Sequence, residues 1–171
     1  MLKKSFLKLE VARVQIRVDP DTQRKLATIA EGRKRTDALE SGAVQAVMQS
    51  RNVLISSEVR RDVPFARYSE AVQSDLVAAR ESGMVTENAY WVIVRLVPDW
   101  LRPLRDRGLK KGDRFLCRIE GGSMRVTFRD TDGRTLVERS LENSEAARAV
   151  LAGYLAPDSS CRNELLGSLF R

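Results

Sequence analysis

The chain has no histidine. That absence removes the commonest general base, the commonest metal ligand and every Ser-His or Cys-His nucleophile pairing. Any chemistry would have to come from Tyr, Lys, Arg, Asp or Glu. Cysteine is almost as scarce: Cys117 and Cys161 stand far apart, without the paired CxxC spacing of a zinc site or a redox motif. Two free thiols in or near the core are expected, with no metal and no cofactor. No apolar run approaches the roughly 18 to 20 residues that span a bilayer. Met1 to Leu9, MLKKSFLKL, opens like a secretory n-region, but Lys8, Glu10 and Arg13 interrupt the stretch where an apolar h-region would sit. The sequence as it stands reads as cytoplasmic, and a periplasmic address would require an N-terminal extension. Repeats and low-complexity linkers are also missing.

What is present is ordinary for one compact domain: 171 residues, 43% hydrophobic and 31% charged. The net charge of +7 is spread over Arg24-Lys25, Arg33-Lys34-Arg35, Arg60-Arg61 and the scatter from Arg102 to Lys111. Only 6% of residues are aromatic, and none is interleaved among the basic clusters as a stacking platform for bases. The excess therefore reads as a solvated basic surface, and nucleic acid is disfavoured as a partner.

The first periodic segment, FLKLEVARVQIRV, sets Leu7, Leu9 and Val11 on one parity and Ala12, Val14, Ile16 and Val18 on the other. A β-bulge near Val11-Ala12 would restore a single apolar face. Asp19-Pro20 then starts a helix, with Asp19 as cap and Pro20 in the first turn. Thr36 to Met48 reads as a second helix and Val53 to Val59 as a second strand. Pro64 opens a further helix with the inward stripe Phe65, Ser69, Val72, Leu76 and Ala79, while Tyr68 and Asp75, seven apart, share an adjacent face. The segment ENAYWVIVRLV is dense enough in apolar residues to be expected buried on nearly all sides. Pro98 is expected to stop it, and Asp99 to cap a short helix running to Gly108.

Residues 108 to 128, GLKKGDRFLCRIEGGSMRVTF, raise the question of a phosphate-cradling loop. Such a loop needs GxxxxGK[ST] or GxGxxG between a strand and the start of a helix. Here Gly108 ends a helix, a strand with Phe115, Cys117 and Ile119 on one face follows, and Gly121-Gly122-Ser123 turn into a second strand carrying Met124, Val126 and Phe128. The reading is a hairpin, with Lys110 and Lys111 as surface charges. A strand around Thr135 to Glu138 and two helices, Ser144 to Leu155 and Ser159 to Phe170, complete the chain. The mixture predicts an α+β domain, a mainly antiparallel sheet covered on one face by a layer of helices.

The order of FLKLEVARVQIRV, VLISSEVRRDVPFARYSEAV, LKKGDRFLCRIEGGSMRVTF and ARAVLAGYLAPDSSCRNELLGSLF resembles the chalcone isomerase-like family, in a bacterial-type, non-plant form, over roughly residues 3 to 170. The resemblance implies an open-faced β-sandwich with a ligand cleft between sheet and helices. The family's plant enzymes close a chalcone ring by adding a phenolate to a conjugated ketone. Other members lack that activity, and some bind fatty acids. The family's key arginine lies on a strand upstream of FLKLE, so a single domain spanning residues 1 to 171 is expected to lack the first strand or strands. The strand threonine that polarises the ketone falls on Glu10, the cleft tyrosine on Tyr68, the helix asparagine on Asp75 and a small polar residue of the penultimate helix near Gly153.

Two of these changes insert carboxylates, and a carboxylate beside a developing enolate raises its energy. The resemblance thus implies a non-catalytic domain binding a small hydrophobic molecule, fatty acid or polyphenol-like, with Lys8, Glu10, Arg13, Tyr68, Asp75 and Gly153 at the cleft. Two other readings stand beside it. One is an intramolecular lyase with Tyr68 as donor and Lys8 or Arg13 as the phenolate cation. The other is a basic protein that binds nucleic acid or an acidic partner. Plainer roles also fit the same residues: Tyr68 as a helix tyrosine at the sheet edge, Glu10 paired with Lys8 or Arg13 on a wet face, and Trp91 and Trp100 as core.

Overall fold

The computed structural model describes residues 11–159 and 161–170. Strands β1 (Ala12–Val18), β2 (Asn52–Val59), β3 (Arg114–Glu120), β4 (Ser123–Arg129) and β5 (Thr135–Glu142) form one antiparallel sheet in the order β1-β2-β3-β4-β5. Among the described residues there are six α-helices: α1 (Pro20–Ala30), α2 (Asp37–Met48), α3 (Phe65–Glu81), α4 (Glu87–Trp100), α5 (Ser144–Leu155) and α6 (Arg162–Leu169). The expected α+β class and antiparallel sheet are the observed ones.

Register explains why one face of the sheet is covered and the other open. Ile16 lies opposite Ile55, Ile55 opposite Cys117 and Cys117 opposite Val126, so alternation on four strands converges on one apolar surface. Ile55 and Cys117 are fully buried there. On the other face of the same strands Arg13, Arg17, Arg114, Arg118, Arg125 and Arg129 are all exposed. Against the apolar face sits α5, whose small residues Ala146, Ala147, Ala149, Ala152 and Gly153 let α2, α3, α4 and β4 approach it closely.

Helix starts follow local chemistry. Asp19 accepts from the Thr22 backbone N–H at 2.8 Å with Pro20 in the first turn, as its sequence position predicts. Thr36, Thr86 and Asn143 cap α2, α4 and α5 in the same way. The β3–β4 hairpin turns on Gly121 and Gly122, with φ of 57° and 99°, the pair of positive values that a tight two-residue hairpin requires.

The KKGD segment is structural. Asp113 is fully buried and accepts from Arg107 Nη1 at 2.6 Å, Arg107 Nη2 at 3.1 Å and the Lys110 backbone N–H at 2.8 Å. Lys110 is exposed and reaches Asp62 at 3.1 Å, while the Lys111 N–H donates to the same carboxylate. Gly108, at φ 64°, lets the chain pass so close to Val63 that a Cβ would lie 2.6 Å from the Val63 carbonyl oxygen.

Several expectations are corrected. Helix α4 is not buried on nearly all sides: Ala89, Tyr90 and Ile93 are buried, but Trp91 is 47% exposed and Arg95 faces solvent. One stripe of that apolar segment meets the core, and the rest closes the edge of the helical layer. Pro98 does not stop α4, which runs to Trp100. Proline's fixed φ suits a helix, and this near the C-terminus it removes only one backbone donor. Asp99 caps no helix; it pairs with Arg102, and a single 3-10 turn, Arg102–Leu104, follows. β5 runs on to Glu142, and the last helix begins at Arg162. The part of the first segment before Val11 lies outside the described residues; β1 itself begins at Ala12, opposite Val59, and runs in unbroken register to Val18, so no bulge interrupts it from Ala12 on.

Candidate functional site

Between the sheet and the helical layer lies a cleft. Phe115 of β3 and Met124 and Val126 of β4 form its floor. Helix α3 supplies Tyr68, Val72, Asp75 and Leu76, helix α4 supplies Ile93, Val97 and Trp100, and α5 supplies Val150, Gly153 and Tyr154. The heptad separation of Tyr68 and Asp75 brings both to the same side of α3, two turns apart. The Tyr68 ring packs edge-on to Phe128 with centroids 6.4 Å apart, and Phe128 in turn meets Phe115 at 5.9 Å. Apart from the Tyr68 and Tyr154 hydroxyls and the buried Asp75 carboxylate, the lining is apolar.

The enclosed space is about 80 Å³. An engineered apolar cavity of roughly 150 Å³ is what accommodates a benzene ring. An aryl group or acyl chain therefore enters only as lining side chains move aside, and Tyr68, Val97 and Trp100 are among the partly buried ones, packed against the buried core rather than part of it.

Burial pushes the Tyr68 phenol up to about 12. Burial also raises Tyr154 well above the ordinary phenol range, with the neighbouring Tyr68 adding to the effect. At neutral pH both hydroxyls are therefore protonated hydrogen-bond donors, not bases or nucleophiles. Cys117, beneath the sheet's covered face, is likewise pushed up to about 12 by burial, and both cysteines are buried thiols outside any disulfide, as expected.

Of the six residues expected at a cleft, three meet here: Tyr68, Asp75 and Gly153. Arg13 sits on β1, opposite Glu58, with its side chain exposed, and it is not among the lining residues. Lys8 and Glu10 lie outside the described residues. No lysine or arginine lines the cleft among the described residues, and none of their His, Cys, Asp or Glu side chains gather as a metal-binding group. Tyr154 and Trp100 were not anticipated as lining. Tyr154 follows Gly153 directly, and its signal was a lone polar aromatic in an alanine-rich helix. Trp100 became lining because α4 continues through Pro98.

No protein-family model and no curated protein sequence matches the chain. Among solved structures it is similar to a fatty-acid binding protein of Arabidopsis thaliana, with a TM-score of 0.59 at 13% sequence identity, covering 96% of this chain and 82% of that one. Taken with the open antiparallel sheet, the helical layer and the cleft between them, the likeness gives the architecture its name: this chain has the chalcone isomerase fold.

Proposed function

We propose that this chain binds a small hydrophobic molecule in the cleft and does not transform it. The observation that carries this reading is the lining itself: an apolar pocket between two layers whose polar groups are two protonated tyrosines and one carboxylate. Convergent donors in an otherwise apolar concavity orient a ligand by one polar end while burial supplies the affinity. A fatty acid is one candidate class, supported by the name of the structural relative. A polyphenol-like molecule is the other, supported by the tyrosine donors. A fatty acid would bind with its chain inward along the apolar lining and its carboxylate toward solvent.

Ring closure needs a cation for the phenolate and donors without nearby negative charge where the enolate forms. The described lining offers no cation. The isomerase reading is not the one proposed; Arg13, exposed on β1 opposite Glu58, is not placed to serve as its cation, and Lys8 lies outside the described residues.

Trp100 reports directly on the cleft. In a Trp91→Phe background, titration with a medium-chain fatty acid and with a chalcone should give a saturable change in Trp100 fluorescence, and the visible absorbance of the chalcone should persist. No saturable change with either would refute ligand binding, and bleaching of the chalcone would refute the non-catalytic part.

A further inference from the structure

The open face of the sheet carries charge that sequence scanning disperses and register collects. Arg118 of β3 lies directly opposite Arg125 of β4, and Arg114 lies directly opposite Arg129. Four arginines thus form a rectangle on two adjacent strands, about 5 Å across each pair and about 13 Å along the strands. All four are exposed. Of these four arginines only Arg118 has an ion pair within the described residues, with Glu120 at 3.2 Å. Arg17 and Arg13 continue the two rows on β1, through Leu54 and Glu58 of β2. Between the rows lie Leu116 and Thr127, with Glu138 of β5 opposite Thr127, and Glu120 and Glu142 lie beyond the Arg118–Arg125 row. With Glu58, the described residues of this face carry four glutamates against six arginines, and it stays net positive.

Like charges placed directly opposite each other on neighbouring strands are destabilising. Two such pairs on one open face are relieved by an anionic group lodged between each pair of guanidinium groups, which is phosphate-type recognition. A second copy of this chain would set two net-positive faces against each other, which charge complementarity disfavours. A nucleic acid would find no aromatic side chain on this face to stack on. A broad, open surface with anionic headgroup sites at its corners and Leu54 and Leu116, both half-buried, in its middle fits a bilayer. We propose that this face docks on an anionic lipid surface, with the Arg118–Arg125 and Arg114–Arg129 pairs each taking a lipid phosphate. This surface lies on the side of the sheet away from the cleft, and the proposal stands independently of ligand binding there.

The test is co-sedimentation with vesicles of phosphatidylcholine alone and of phosphatidylcholine mixed with phosphatidylglycerol. Binding is expected only to the anionic vesicles and is lost as salt is raised. The double variant Arg118→Gln/Arg125→Gln should bind about twenty-five-fold more weakly, about fivefold for each arginine removed near a charged lipid surface. Its melting temperature should be equal to or above that of the parent, because the like-charge contact is gone; this separates loss of docking from loss of fold. The off-face variant Arg33→Gln/Lys34→Gln should bind as the parent does. Equal binding to neutral vesicles, an equal loss from the off-face variant, or retention of a DNA duplex in place of vesicles would each overturn the proposal.

Discussion

Gly153 of α5 stands directly against Asp75 of α3, where a Cβ on the glycine would lie 3.7 Å from the Asp75 Cβ. That is ordinary contact, so the site has room for a methyl group. Glycine in a helix interior costs roughly 0.5 to 1 kcal/mol relative to alanine. Gly153→Ala should therefore raise stability by about that amount, read as a higher midpoint in urea. A fall in the midpoint would mean that α3 and α5 are packed more tightly here than the geometry describes.

Arg107 and Asp113 form an ion pair. The carboxylate is fully buried and held by both guanidinium Nη atoms, and this contact raises the Arg107 pKa. Arg107→Ala leaves the charge buried with backbone donation from Lys110, and should cost about 3 kcal/mol. Arg107→Lys should recover only part of it, since an ammonium lacks the planar fork. Chemical denaturation of the three proteins checks this.

Asp19 links three parts of the fold: it caps α1, accepts from the Ser50 hydroxyl and accepts from the Arg51 backbone N–H. Ser50 in turn offers its carbonyl to Arg148 Nη2 on α5. The hydrogen bond from Ser50, followed by that from Thr22, holds the Asp19 carboxyl well below the usual carboxylate range. A depressed folded pKa stabilises the protein fully above the unfolded value near 4 and loses that stabilisation as pH falls below it. Melting temperature measured from neutral pH downward should thus fall less steeply for Asp19→Asn than for the parent, with the two curves converging in acid. Parallel curves would show that the carboxylate is not the titrating group.

Much of the architecture was readable because its signals are local. The Gly121-Gly122 hairpin, the Asp19-Pro20 helix start and the period of Phe115, Cys117 and Ile119 need only neighbouring residues to specify them. The meeting of Tyr68 and Asp75 followed from their spacing on one helix. What was not readable depends on contacts between elements. Nothing local distinguishes Pro98 as a residue inside a helix from one that ends it, and Trp100 reaches the cleft only because of that. Asp113 looks like a turn residue until Arg107 closes over it. The paired arginines occupy separate positions in two strands, and only the register of β3 against β4 sets them side by side.

The account's central claim is that the cleft between sheet and helices holds a molecule. Native mass spectrometry of the purified full chain, set beside the same sample denatured, tests it most directly. The account predicts a population carrying additional mass that is lost on denaturation and is recovered in the organic phase on extraction. A single bare mass, unchanged after incubation with a medium-chain fatty acid or a chalcone, would contradict it.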